Sequence, residues 1–159
     1  MNRGLARSGV IGVAVLSLSC GAGSERRSDH PPRLDPAVVE QGRQVYASSC
    51  AACHGSQGEG ALYWRQPDAR GELPAPPHNA EGHTWRHGNG MLYQIVRDGW
   101  RDPFNRTARL TMPAFRGQLT PAATRAVITY LKTGWRPEQR QFQWEESRQS
   151  RFPPDTMVP

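Results

Sequence analysis

Cys50-Ala51-Ala52-Cys53-His54 constrains this chain more than any other stretch of it. Cys-x-x-Cys-His is the spacing of a covalent c-type haem attachment site. Two thiols one helical turn apart reach the two vinyl groups of one porphyrin. The adjacent imidazole then lies under the iron as proximal ligand. Two plainer chemistries share part of the pattern. A dithiol redox pair expects a βαβ context, which the surrounding sequence lacks. A zinc site needs further ligands at a similar pairing, and there is no second Cys pair. One covalent haem c with its iron is therefore the expected cofactor, and Cys50, Cys53 and His54 are the first candidate site residues.

The remaining composition agrees with a small cofactor protein. The chain has 159 residues and 36% hydrophobic side chains, so a core built from them alone would be thin. A buried porphyrin supplies the missing apolar mass. The net charge is +6, and Lys132 is the only lysine. The basic residues form neither a block nor a stripe interleaved with aromatics, which argues against nucleic acid as a partner. Scattered in this way they read first as a solvated surface, and second as a source of steering toward acidic partners or anionic lipid.

The third cysteine sits at an address. Arg3 and Arg7 precede a short apolar run, Val10 to Leu18, which is too short to span a bilayer comfortably. Small residues before Cys20 resemble a bacterial lipoprotein cleavage box, in which the cysteine becomes the lipidated first residue of the mature protein. Ser17 stands where such boxes favour leucine, and an ordinary secretory signal cleaved nearby is the alternative. A lipid anchor at Cys20 would tether the protein to a membrane surface without spanning it. The expected location is extracytoplasmic, on the periplasmic or cell-surface side. The expected division is a signal peptide over 1–20, a Gly-, Ser- and Pro-containing flexible tether over 21–34, a haem domain over 35–135, a helical extension over 136–151 and a frayed tail over 152–159.

Within the domain, Asp35 followed by Pro36 predicts a helix start. Val38, Gly42, Val45 and Tyr46 share one helical face, and this helix runs into Cys50. Gly42 costs about 1 kcal/mol there against alanine, which a close neighbour would explain. Thr120 and Pro121 predict a second helix with Ala123, Val127, Tyr130 and Leu131 on its buried face, stopped by Gly134. Asn89 to Arg97 predicts a shorter helix with Leu92, Ile95 and Val96 inward, closed by Gly99. Gly55 to Gly88 shows no sustained period and reads as a long functional loop.

Gly42-x-x-x-Tyr46 ahead of the cysteine motif, with Tyr130-Leu131 in the last core helix, resembles class I cytochrome c. The resemblance covers about residues 36–135. It implies an all-α class I cytochrome c fold of three to four core helices around one haem, with its first and last helices crossing at the glycine. It also implies that a proline carbonyl in the long loop accepts the ring N–H of His54; Pro74, Pro76 and Pro77 are the candidates.

The sixth ligand is expected from Met112-Pro113-Ala114-Phe115. Proline after Met112 biases its backbone toward extended structure, which suits a thioether projecting from a loop. A Met-Pro pair before the last helix is also where class I cytochromes resemble this chain. Met91, His78, His83 and His87 are the rivals. The candidate cofactor-binding residues are thus Cys50, Cys53, His54 and Met112, with His54 and Met112 on the metal. His/Met ligation raises the reduction potential. Gly82-His83-Thr84-Trp85 and Met-Pro-Ala-Phe resemble a subgroup of small bacterial monohaem cytochromes, as does a C-terminal helix opened by Pro137-Glu138. His78, His83 and His87 read first as hydrogen-bonded loop residues, and second as a further metal site.

The function that follows is an electron carrier between respiratory or other redox partners, not an enzyme by itself, docking transiently on a donor and an acceptor protein. The alternatives are a haem-bearing subunit of an oxidase or dehydrogenase complex, and a haem peroxidase or gas sensor with a labile sixth ligand.

Overall fold

Asp35 opens the first helix as its sequence predicts: the side chain accepts a hydrogen bond from the Ala37 N–H, and Pro36 takes the first helical position. The computed structural model describes Met1, residues 29–103 and residues 108–154. The predicted signal peptide, Cys20 and most of the tether lie outside the described residues, as do 155–159. Among the described residues the chain is all-α, with five helices. They are α1 (Pro36–Ser49), α2 (Ala51–His54), α3 (Asn89–Asp98), α4 (Pro121–Leu131) and α5 (Pro137–Gln149). Short 3-10 turns span Thr84–Arg86 and Lys132–Gly134. Trp100 with Met112 and Arg116 with Leu119 form isolated bridges.

The crossing of α1 on α4 is the principal helix contact. A Cβ built on Gly42 would stand 2.6 Å from the Ala126 carbonyl carbon and 2.7 Å from Tyr130 Cβ. Only glycine lets the two backbones come so near, and that offsets its poor helix propensity. One turn on, Tyr46 packs its ring against Tyr130, centroids 5.4 Å apart. The core gathers Tyr46, Leu92, Tyr93, Val127, Ile128 and Trp135, with Val45, Trp85 and Leu131 packed around it.

The first helix runs into Cys50 as expected: Cys50 caps it with its N–H on the Tyr46 carbonyl, and α2 follows at once with the second thiol and His54. The other helices differ from expectation in two places. The face of α4 that is fully buried centres on Thr124, Val127 and Ile128, while Ala123, Tyr130 and Leu131 flank it partly buried. On α3, Tyr93 joins Leu92 in the core, with Ile95 and Val96 at its edge. The chain after α4 is also better held than its polar sequence suggests. Phe152 packs on Tyr93, and the Arg125 guanidinium donates to the Pro153 carbonyl, so the tail is docked this far.

Thr120 caps α4 by accepting from the Ala123 N–H. The start of α3 has no local side-chain cap. Its first N–H groups are met from α5 and just beyond: Asn89 N–H by Ser147 Oγ, Gly90 N–H by the Ser150 carbonyl, and Met91 N–H by Ser150 Oγ. These are the donors that a helix leaves without intrahelical partners.

Candidate haem site

The thiols and imidazole of the motif fall together on the short turn that follows α1. Among the described residues Cys50 and Cys53 are free thiols, Cys50 half-buried and Cys53 exposed. Burial, then the neighbouring Cys53, pushes the Cys50 thiol up to about 11. His54 is buried, 7% exposed. Its Nδ1 lies 2.8 Å from the Pro76 carbonyl oxygen. A carbonyl only accepts, so Nδ1 carries the proton and Nε2 is left with its lone pair, the form that ligates a metal. Burial holds the His54 pKa below the ordinary histidine value, and the bond to Pro76 opposes this in part. Pro76, rather than Pro74 or Pro77, is therefore the carbonyl that orients His54.

The turn is braced from α1. Tyr46 Oη donates to the Gly55 carbonyl at 2.8 Å, and burial raises its pKa. The long loop folds back over the turn through Gly60 N–H to the His54 carbonyl at 2.8 Å and Ala61 N–H to the Ala75 carbonyl at 2.9 Å.

Met112 comes from a different segment, the loop between α3 and α4. It pairs with Trp100: Trp100 N–H donates to the Met112 carbonyl and Met112 N–H to the Trp100 carbonyl, each at 3.0 Å. Gly99 permits this approach with φ of +78°, since a Cβ there would stand 2.7 Å from the Met112 carbonyl oxygen. The rival Met91 lies in the first turn of α3 and is half-buried.

The loop carrying Met112 is tied to the loop after α2 by an ion pair that sequence reading did not find. Glu72 is buried, 5% exposed, and binds the Arg109 guanidinium through both carboxylate oxygens. Their separation of 37 residues leaves no local pattern to detect.

The three loop histidines part company. The His78 ring stacks on His54, whereas His83 stacks on Trp64 and meets His87 edge-on. Burial lowers the pKa of all three, His78 most. Among the described residues no group of three or more His, Cys, Asp or Glu side chains is set for a metal ion.

The donor set fits a covalent haem. Two free thiols and an imidazole with its second nitrogen already bonded stand on one turn. Leu62, Tyr63, Trp100 and Leu110 are exposed by 79%, 66%, 40% and 43% on the loops beside His54 and Met112. Such apolar area is costly in water and suits the face of a porphyrin.

An all-α fold closed by the α1–α4 crossing around this turn defines a c-type cytochrome, whose cofactor is covalently bound haem c. The chain belongs to the family described as cytochrome c oxidase, cbb3-type, subunit III, whose model matches residues 37–131. It is similar to the cbb3-type cytochrome c oxidase subunit CcoP of Azospirillum brasilense, with 28% identity over 97 residues. That stretch is 61% of this chain and 28% of the relative, so the chain spans less than a third of the relative's length. No solved structure matches the chain significantly. The segment from Lys132 onward, including α5, lies outside the family match.

Proposed function

We propose that this protein is a one-electron carrier with a single haem, held by thioethers at Cys50 and Cys53 and ligated by His54 and Met112. The observation that carries the reading is the Nδ1–H bond from His54 to the Pro76 carbonyl, which leaves Nε2 for iron. The bound haem supplies an iron that accepts and releases one electron. The chain's own residues fix and shield it. Pro76 sets the tautomer and direction of His54, the Tyr46 hydroxyl pins the turn, and the Trp100 pairing holds the Met112 backbone extended. A soft, neutral thioether at Met112 favours the reduced state and raises the potential.

The protein works as a carrier and not as an enzyme by itself. Its basic charge favours acidic surfaces on the donor and acceptor. Export and an acyl anchor at Cys20 place it on the periplasmic or cell-surface side of a membrane. No helix among the described residues is long and apolar enough to cross one. A second reading, a haem-bearing subunit docked in an oxidase complex, is favoured by the family description and by the name of the Azospirillum relative. Co-purification with an oxidase through detergent and salt washes would select it over the free carrier.

The test of the axial pair is Met112→Ala in haem-loaded protein. The reading requires a lower midpoint potential and a new site for carbon monoxide on the reduced iron. A spectrum identical to the wild type rejects Met112 as ligand.

A further inference from the structure

The imidazole of His78 lies face to face with that of His54, ring centroids 3.9 Å apart and planes inclined by 26°. Little freedom remains to this second ring. His78 Nδ1 is 2.9 Å from Thr84 Oγ1, and that hydroxyl donates in turn to the Pro77 carbonyl at 3.3 Å. The hydroxyl proton is thereby used, so Nδ1–H of His78 is the donor to Thr84. The backbone is held on both sides. His78 N–H donates to the Gly58 carbonyl at 2.8 Å, and its own carbonyl accepts from Trp135 Nε1 at 2.8 Å. The Tyr46 ring meets His78 in an edge-to-face arrangement, centroids 6.3 Å apart and planes inclined by 74°.

His54 is thus gripped twice. Its Nδ1 fixes the direction of the ring in its own plane through Pro76, two residues before His78. A single hydrogen bond leaves rotation about the iron–nitrogen axis only loosely set, because a carbonyl accepts over a broad range of directions. A flat neighbour stacked on the ring face removes that freedom. An aliphatic side chain of similar bulk would fill the space without setting the plane.

We propose that His78 is a positioning residue that sets the plane of the proximal imidazole, with Thr84 and Trp135 as its supports. The proposal rests on His54 being the proximal ligand. It also gives the C-terminal segment a role, since Trp135 lies beyond the family match at 37–131 and reaches back to the carbonyl of His78. The orientation of an axial imidazole governs its overlap with the iron d orbitals, so its plane is legible in the spectrum of the ferric haem.

The experiment compares haem-loaded wild type with His78→Leu, His78→Phe and Thr84→Val. The readouts are the ferric electron paramagnetic resonance g-values and the midpoint potential, with denaturant unfolding as the control for fold. The wild type must first show a low-spin, histidine-ligated spectrum; its absence defeats the proposed axial pair and leaves nothing for His78 to position. Given that spectrum, His78→Leu is expected to shift the g-values and the potential, and His78→Phe to restore both toward wild type. Thr84→Val is expected to move them in the same direction as Leu, by less. Superimposable spectra and equal potentials for the Leu variant and wild type overturn the proposal, as do equal shifts for Leu and Phe. If Leu fails to fold, Thr84→Val decides alone: unchanged g-values overturn the proposal.

Discussion

Replacing Gly42 with alanine sets two effects of known size against each other. Inside α1 the change gains about 1 kcal/mol of intrinsic helix stability. At the crossing, the added methyl would stand 2.6 Å from the Ala126 carbonyl carbon and 2.7 Å from Tyr130 Cβ. Non-bonded carbons settle about 3.5–4.0 Å apart, so the helices must part by roughly 1 Å. Ala126 presents backbone, which has no rotamer to turn aside. Overpacking of this kind costs about 1–3 kcal/mol, and the larger figure applies where backbone must move. Parting the helices also loosens the Tyr46–Tyr130 contact, and with it the Tyr46 hydroxyl that braces the haem-binding turn. Packing therefore wins, and Gly42→Ala is expected to destabilise the haem-loaded protein by about 1–2 kcal/mol, with Gly42→Val losing roughly 3 kcal/mol. Urea unfolding followed by the Soret band and by far-ultraviolet circular dichroism measures both. An alanine variant more stable than wild type by the helix-propensity gain would refute the close crossing.

Further expectations follow from contacts elsewhere in the molecule. Ser147→Ala removes an acceptor for the half-buried Asn89 N–H and for the buried Gln143 Nε2, and should cost about 1–3 kcal/mol. Faster amide exchange at the start of α3 would accompany that loss, and unchanged exchange would contradict the cap from α5. Glu72→Gln weakens the tie to Arg109 between the two loops and should cost about 1–2 kcal/mol in the same unfolding assay; a neutral result would show the pair to be idle. Lys132 donates to Asn89 Oδ1, and burial, then Arg140, lowers its pKa from 10.5 to about 8. Between about 8 and 10.5 the unfolded chain binds the proton that the folded one has released, so stability should rise with pH across that window. The rise is about 1–2 kcal/mol after allowance for partial exposure. Lys132→Met should flatten it, and an equal slope in both proteins would exclude Lys132 as its source.

What the sequence discloses here is local. Asp35-Pro36 and Thr120-Pro121 are caps formed within a few residues, and both appear in the structure as written. Gly42 was legible as a cost needing a neighbour, and Ala126 is that neighbour. The cysteine motif carries its chemistry in five consecutive residues. The contacts that sequence reading lacks are those joining distant polar groups. Glu72 with Arg109, His78 with Trp135, and Ser147 with Asn89 are separated by 37, 57 and 58 residues. None leaves a periodic trace. α5 shows this most plainly: its buried residues are Gln139, Gln143 and Ser147, so an apolar pattern could not announce that it docks. The resemblance to class I cytochrome c left three prolines as candidates for the carbonyl, and only the folded loop selects Pro76.

The central claim is a single haem with His54 and Met112 on its iron. A redox-titrated optical spectrum of the exported, haem-loaded protein tests it most directly. The account predicts one haem per chain, one reversible one-electron wave, a low-spin six-coordinate spectrum in both oxidation states and no rapid binding of carbon monoxide by the reduced form. A high-spin spectrum with rapid carbon monoxide binding, or a second redox wave, would contradict it.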